Sequence, residues 1–203
     1  MVYTTNMETQ KTFIFFGMVG SGKGTQVSLL QKYIKEKNPE AFFVFASPGN
    51  GYRKLINDGY YTGSIVKESL DRGYLQPDFL TNALVISNLA FEIKEDSFLI
   101  ADGYPRTINQ SKTFEEIINY YGRTNINIFY IEVGKEEAMK RMKLRARTDD
   151  TNEGIAQRFD EYVNNVLPAM EYFKNKDDFT IHSINGEQSI NQVHSDIVKI
   201  LEK

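Results

Sequence analysis

The segment Gly17-Met-Val-Gly20-Ser-Gly22-Lys23-Gly24-Thr25-Gln26 constrains this chain most, because it follows an apolar run, Thr12 to Phe16, and opens an amphipathic stretch. A strand that ends in a glycine-rich turn and continues as a helix lets consecutive backbone N–H groups turn inward around an anion. Lys23 adds a full positive charge there. The helix directs the positive end of its dipole to the same place, and Val27, Leu30 and Ile34 on one face seat it against a sheet. The pattern implies a cradle for nucleotide phosphates. Its spacing fits the general P-loop template, except that Gly24 stands where the template expects Ser or Thr and the hydroxyl comes one residue later, at Thr25.

Short runs rich in Phe, Ile and Val alternate with helical periodicity along the rest of the chain. Residues 12–16, 42–46, 98–101, 126–132 and 179–184 read as buried strands, which predicts an α/β sandwich with a parallel sheet and ligands at the carboxyl ends of its strands. A long helix from about Glu153 carries Ile155, Phe159, Tyr162, Val166 and Met170 on one face, with a kink expected at Pro168. A last helix, Ser189 to Leu201, turns Ile190, Val193, Ile197 and Leu201 inward. The 26 Phe and Tyr residues fall mostly on these apolar faces and read as core, not as base-stacking platforms. About fifty mostly helical residues separate the second and third strands, more than a crossover needs, so part of them is expected to form a flap over the site.

At 203 residues and 41% hydrophobic content the chain reads as one domain. Its longest apolar run, Ala41 to Ala46, falls far short of the ~20 residues that span a bilayer, and its polar start lacks signal-peptide character, so a cytoplasmic protein without a membrane partner is expected. The absence of cysteine excludes disulfides and cysteine-ligated zinc, and His182 and His194 read as surface residues rather than metal ligands. A net charge of −3 without a basic tail argues against nucleic acid, despite the basic run Lys140 to Arg147.

A second motif, Asp102-Gly-Tyr-Pro-Arg106-Thr-Ile-Asn-Gln110, follows the third strand and puts an acid beside the P-loop, where it can organise Mg2+ through its water shell. Together, Gly-Ser-Gly-Lys-Gly-Thr-Gln and Asp-Gly-Tyr-Pro-Arg-Thr resemble the adenylate kinase family of nucleoside monophosphate kinases. The resemblance implies that Gly20, Ser21, Gly22, Lys23, Gly24 and Thr25 bind ATP, that Arg106 clamps the acceptor monophosphate with Gly103 beside it, and that Gln110 bonds its base. Ser47-Pro-Gly-Asn-Gly-Tyr-Arg53 is similar to the family's Ser-Thr-Gly-Asp-x-x-Arg, which carries Ser47 and Arg53 to the acceptor site, while Pro48 and Asn50 depart from the pattern. Gly73-Tyr-Leu75-Gln76-Pro-Asp78 resembles the Gly-x-Leu-Val-x-(Asp/Glu) segment that lines the acceptor base, with Gln76 in place of valine.

Arg141 and Arg145 are four residues apart and share a helix face. Arg147-Thr-Asp149-Asp150 and the following Glu153-x-Ile-x-x-Arg158 resemble the family's Arg-x-Asp-Asp and its helix, whose arginines straddle the transferred phosphate. By that likeness Arg141 lies against the donor adenine, Arg145 meets donor phosphate, Arg147 and Arg158 face both nucleotides, and Gly186, after Asn185, belongs to the loop around the donor base. Lys23, Asp102, Arg106, Arg145, Arg147 and Arg158 are thus the expected catalytic set, with Thr25 and Asp102 organising Mg2+ through water.

The implied fold is a P-loop three-layer α/β/α sandwich with a five-stranded parallel sheet. Its core comprises residues 12–46, 78–145 and 152–203, with an acceptor-binding flap at 47–77 and a minimal lid at 146–151. The implied reaction transfers the γ-phosphoryl group of MgATP to AMP in a monomeric enzyme. The alternatives are a pyrimidine monophosphate kinase, a non-catalytic nucleotide-binding protein, and a GTP switch suggested by Asn175-Lys-Asp-Asp178, whose place before a strand argues against it.

Overall fold

Runs of Phe, Ile and Val form five strands, β1 (Thr12–Phe16), β2 (Phe43–Ala46), β3 (Phe98–Asp102), β4 (Ile126–Glu132) and β5 (Phe179–Asn185), in a computed structural model that describes residues 11–145 and 152–202. They pair parallel throughout, in the order β2-β3-β1-β4-β5, so their carboxyl ends share one edge. The helices are α1 (Lys23–Lys37), α2 (Gly49–Asn57), α3 (Tyr61–Asp71), α4 (Asp78–Glu92), α5 (Ile108–Tyr120), α6 (Lys135–Arg145), α7 (Asn152–Glu161), α8 (Leu167–Glu171) and α9 (Ile190–Leu201).

Side chains alternate across each strand, and both faces of the sheet are covered. Ile14 and Phe16 of β1 join Val44, Val85, Leu89, Phe114 and Phe173 on one face. Phe13 and Phe15 join Leu30, Ile34, Phe129 and Ile197 on the other. This double burial explains why the strands read as continuous apolar runs. A third cluster, Ala138, Met142, Ile155 and Phe159, packs α6 and α7 against Met18 and Val19 of the loop after β1. As anticipated, the excursion between β2 and β3 is helical, comprising α2, α3 and α4.

The structure refines the sequence reading in four places. The long C-terminal helix is not α-helical throughout: it widens into a π-helical segment, Tyr162–Val166, and continues without a break as α8, with Pro168 just after the widened turn. Ile190 is 58% exposed: it is the first residue of α9, where its carbonyl oxygen accepts from Gln26 of α1 while its side chain stays in solvent. Neither histidine is simply a surface residue. His182 is half-buried and shares a 2.8 Å hydrogen bond with Asn127 Oδ1, whereas His194 packs its ring edge on Tyr33 with Nδ1 buried, and burial pushes its pKa down. Finally, the aromatics that stand apart from the core include Tyr61, Phe79, Phe91 and Tyr120, which are exposed.

Arg123 passed unnoticed in the sequence. Its guanidinium donates to the carbonyl oxygens of Ser97 at 3.0 Å and Lys94 at 3.3 Å, fastening the amino end of β3.

Phe173 is fully buried and stacks on Phe179 with ring centroids 4.6 Å apart. Phe173→Ala is expected to cost about 3–5 kcal/mol of stability, read from the midpoint of urea unfolding at unchanged denaturant slope.

Candidate active site

The loop between β1 and α1 is pressed against α6. Gly20 has φ +87°, and a Cβ there would stand 2.6 Å from the carbonyl oxygen of Ala138, so only glycine lets the loop lie this close. Its concave side is open by contrast, since a Cβ on Gly22 would meet nothing within 4 Å. Lys23 Nζ donates to the carbonyl oxygens of Gly17 at 2.6 Å and Met18 at 2.9 Å, which holds the ammonium across the loop. Ser21 is buried, while Gly24 and Thr25 face solvent in the first turn of α1. Gln26 is buried and donates to the carbonyl of Ile190 at 3.0 Å, tying α1 to α9.

Register brings the acid to the loop. Asp102 is paired with Phe15 across β3 and β1, and its Oδ2 lies 4.0 Å from where a Cβ on Gly24 would be. Arg106 follows one turn later, its Nε donating to the carbonyl of Gly103 at 2.8 Å. Its guanidinium meets water yet stands deep between the surrounding elements, and desolvation pushes its pKa down; Asp102 opposes that shift and the charge of Arg158 adds to it. Arg106 therefore stands within electrostatic reach of Arg158, and of the acids Asp102 and Glu161.

Gln110 departs from its expected posture. It is 2% exposed and its amide is engaged inside the protein, with Oε1 accepting from the Arg106 backbone N–H at 2.8 Å and Nε2 donating to Asp78 Oδ1 at 2.9 Å. Thr107, the N-cap of α5, donates to the same Asp78 oxygen at 2.8 Å. Sequence reasoning missed Asp78 as the hub that joins α4 to α5, although its place at the first position of α4 was the available signal. Ser47 is half-buried just beyond β2, and Leu75 and Gln76 lie in the link from α3 to α4, half-buried and buried respectively. Arg53 is exposed on α2 and donates to Asn50 Oδ1, a neutral partner that leaves its charge uncompensated.

On the other flank, Arg141 connects α6 to the loop after β5, its Nε meeting Glu137 at 2.8 Å and its Nη1 donating to the carbonyl of Gly186 at 2.9 Å. Arg145 ends α6. Arg147, Asp149 and Asp150, with the proposed lid at 146–151, lie outside the described residues. Asn175 to Asp178 precede β5, at the sheet edge opposite the P-loop, so they cannot read a base bound there.

Comparison with known proteins agrees with this arrangement. The family model described as "Adenylate kinase" matches residues 15–178. Curated relatives named adenylate kinase include those of Prochlorococcus marinus strain MIT 9301, 34% identical over 188 residues that cover 93% of this chain and 97% of the relative, and of Listeria innocua, 29% identical over 220 aligned positions for the same 93% of this chain and 97% of the relative. The longer alignment for an equal share of this chain means that the Listeria protein carries residues this one lacks. The match runs from β1 through α8 and takes in the P-loop, the helical excursion after β2 and the Asp102 to Gln110 motif. The chain therefore belongs to the adenylate kinase family and is a nucleoside monophosphate kinase, a phosphotransferase that acts between nucleotides.

Proposed function

We propose that the enzyme transfers the γ-phosphoryl group of MgATP to AMP, giving two ADP. The observation that carries this reading is a P-loop spanned by the Lys23 ammonium with the Asp102 carboxylate beside it, and Arg106, next along the same motif, within electrostatic reach of Asp102. In-line transfer needs no nucleophile from the protein, because the acceptor phosphate already attacks as an anion. The protein aligns two polyanions, neutralises their charge and excludes water.

In this reading Gly20, Ser21, Gly22, Lys23, Gly24 and Thr25 cradle the donor phosphates, and Arg141 and Gly186 flank the donor base. Arg53 and Arg106 take the acceptor phosphate; Arg145, Arg147 and Arg158 bear on the group in transit. Thr25 and Asp102 offer hard oxygen donors, which fit Mg2+ held mainly by phosphates and water. When bound, the ion neutralises charge on the donor phosphates. Residues 47–77 serve as the acceptor flap and 146–151 as a lid reduced to a turn, a reading supported by the extra residues of the Listeria relative. No helix among the described residues is long and apolar enough to cross a membrane, which agrees with a cytoplasmic enzyme. A monomer suffices, because one chain supplies every group named.

A pyrimidine acceptor is the second reading, favoured by the internal engagement of Gln110. Diphosphate formation from ATP with AMP, dAMP, CMP, UMP, GMP or dTMP decides between them. Highest kcat/KM with AMP is expected, and preference for CMP or UMP would transfer the assignment to the second reading.

Lys23→Ala should lower turnover about 100-fold or more, by comparison with loss of one preorganised donor, with the circular dichroism spectrum unchanged. Gln110→Ala has two expected effects. It strands the Arg106 backbone N–H and takes from Asp78 Oδ1 one of its donors, lowering the stability of the nucleotide-free protein by about 1–3 kcal/mol, and it erodes selectivity for AMP. A loss of selectivity without loss of stability would show that the amide serves the base alone.

A further inference from the structure

Gln76 is 6% exposed, and its Nε2 is buried with no hydrogen-bond partner. Such a donor carries a desolvation penalty that an apolar side chain of similar volume would avoid. The position does not require a polar group for packing either, since the family pattern carries valine there. A buried amide that the protein leaves without an acceptor is explained if a ligand brings one.

Its surroundings indicate which ligand. Thr81, one turn into α4, reaches back to the carbonyl oxygens of Pro77 at 3.1 Å and Gln76 at 3.5 Å, and its hydroxyl shares a 2.6 Å hydrogen bond with Tyr52 of α2. The Tyr52 phenol is buried and lies within the electrostatic reach of Arg106 and Asp78. Gln76 therefore stands beside the contact between α2 and α4, next to Thr81 and its partner Tyr52, which lies within electrostatic reach of the guanidinium assigned to the acceptor phosphate. With the phosphate of a nucleoside 5′-monophosphate at Arg106, a base that extends toward α2 and α4 meets this wall.

We infer that Gln76 is a specificity-determining residue whose side-chain amide donates a hydrogen bond to a lone pair on the acceptor base, a ring nitrogen or a carbonyl oxygen. The inference rests on the assignment of the acceptor site to the α2–α4 side of Arg106. Gln110, held at both ends of its amide, and Gln76, whose Nε2 has no partner, then divide the work: one fixes the wall and the other reads the base.

The test replaces the amide by hydrocarbon. For Gln76→Leu, two measurements should move in opposite senses. The thermal midpoint of the nucleotide-free protein should stay the same or rise, because an unpaired buried donor is gone. The KM for the preferred monophosphate should rise about tenfold or more, whereas the KM for ATP and the inhibition constant of ribose 5-phosphate, which has the phosphate and sugar but no base, should not. An unchanged KM for the monophosphate would overturn the inference, as would equal weakening of ribose 5-phosphate, which would place the contact on the sugar or phosphate. A fall in midpoint with all constants weakened together would make Gln76 a packing residue and equally overturn it. Gln76→Met, unbranched and close in volume, repeats the measurements should the leucine variant not fold. Wild-type enzyme that phosphorylates monophosphates normally while Arg106→Ala leaves their KM unaltered would instead remove the acceptor-site assignment on which the inference stands.

Discussion

Much of the site depends on the close approach of the P-loop to α6. Gly20 lies against the Ala138 carbonyl with no room for a Cβ, and Met18 and Val19 pack into the cluster formed by Ala138, Met142, Ile155 and Phe159. The back of the loop is thereby made part of a small core, while its front stays open at Gly22. A phosphate cradle lowers a barrier only if its dipoles already point at the ligand before the ligand arrives, and backing the loop with packed side chains supplies that rigidity. The same packing has a second consequence. Ile155 and Phe159 belong to α7 and Ala138 and Met142 to α6, the helices on either side of residues 146–151. Displacement of either helix is therefore felt at the P-loop.

Charge is arranged on the opposite principle. Arg106 and Arg158 repel one another, and desolvation makes Arg106 give up its proton more readily than a free guanidinium. Arg53 leans on a neutral asparagine where the family pattern has a carboxylate. A protein of net charge −3 thus keeps positive groups close together at one end of its sheet without pairing all of them off. Under the proposed assignment, an entering phosphate would relieve that repulsion and so bind more strongly than to arginines already neutralised. Asp102, adjacent to the loop, and Glu161, at the end of α7, supply the acidic counterweight to Arg106.

The strands and the order of the layers were legible because burial on both faces leaves a continuous apolar signature, and the P-loop because glycine spacing between a strand and a helix has few other uses. What escaped the sequence was pairing between distant residues. Nothing near Gln110 signals that Asp78, at the start of another helix, occupies its amide; nothing near Arg123 signals that Ser97 and Lys94 offer it their carbonyls. Ile190 followed the helical period faithfully and is nevertheless exposed, since periodicity gives the face of a helix but not which of its residues are covered. The π-helical turn at Tyr162–Val166 likewise answers to packing: Ile155 and Phe159 serve the cluster behind the P-loop while Val166 and Met170 serve the sheet, and one extra residue in the turn lets a single helix face address both.

These features separate the reaction from the choice of substrate. Lys23, Asp102 and Arg106 issue from the carboxyl ends of β1 and β3, strands with neighbours on both sides, and their positions follow from sheet register. The groups nearest the proposed base pocket, Tyr52, Gln76, Asp78 and Thr81, lie instead on α2, on α4 and on the link before α4, outside the sheet. Substitution there changes a hydrogen bond without moving a strand. Phosphoryl transfer can therefore remain constant while the accepted base varies, and departures such as Pro48 and Gln76 fall on the side of the site where variation costs the chemistry least.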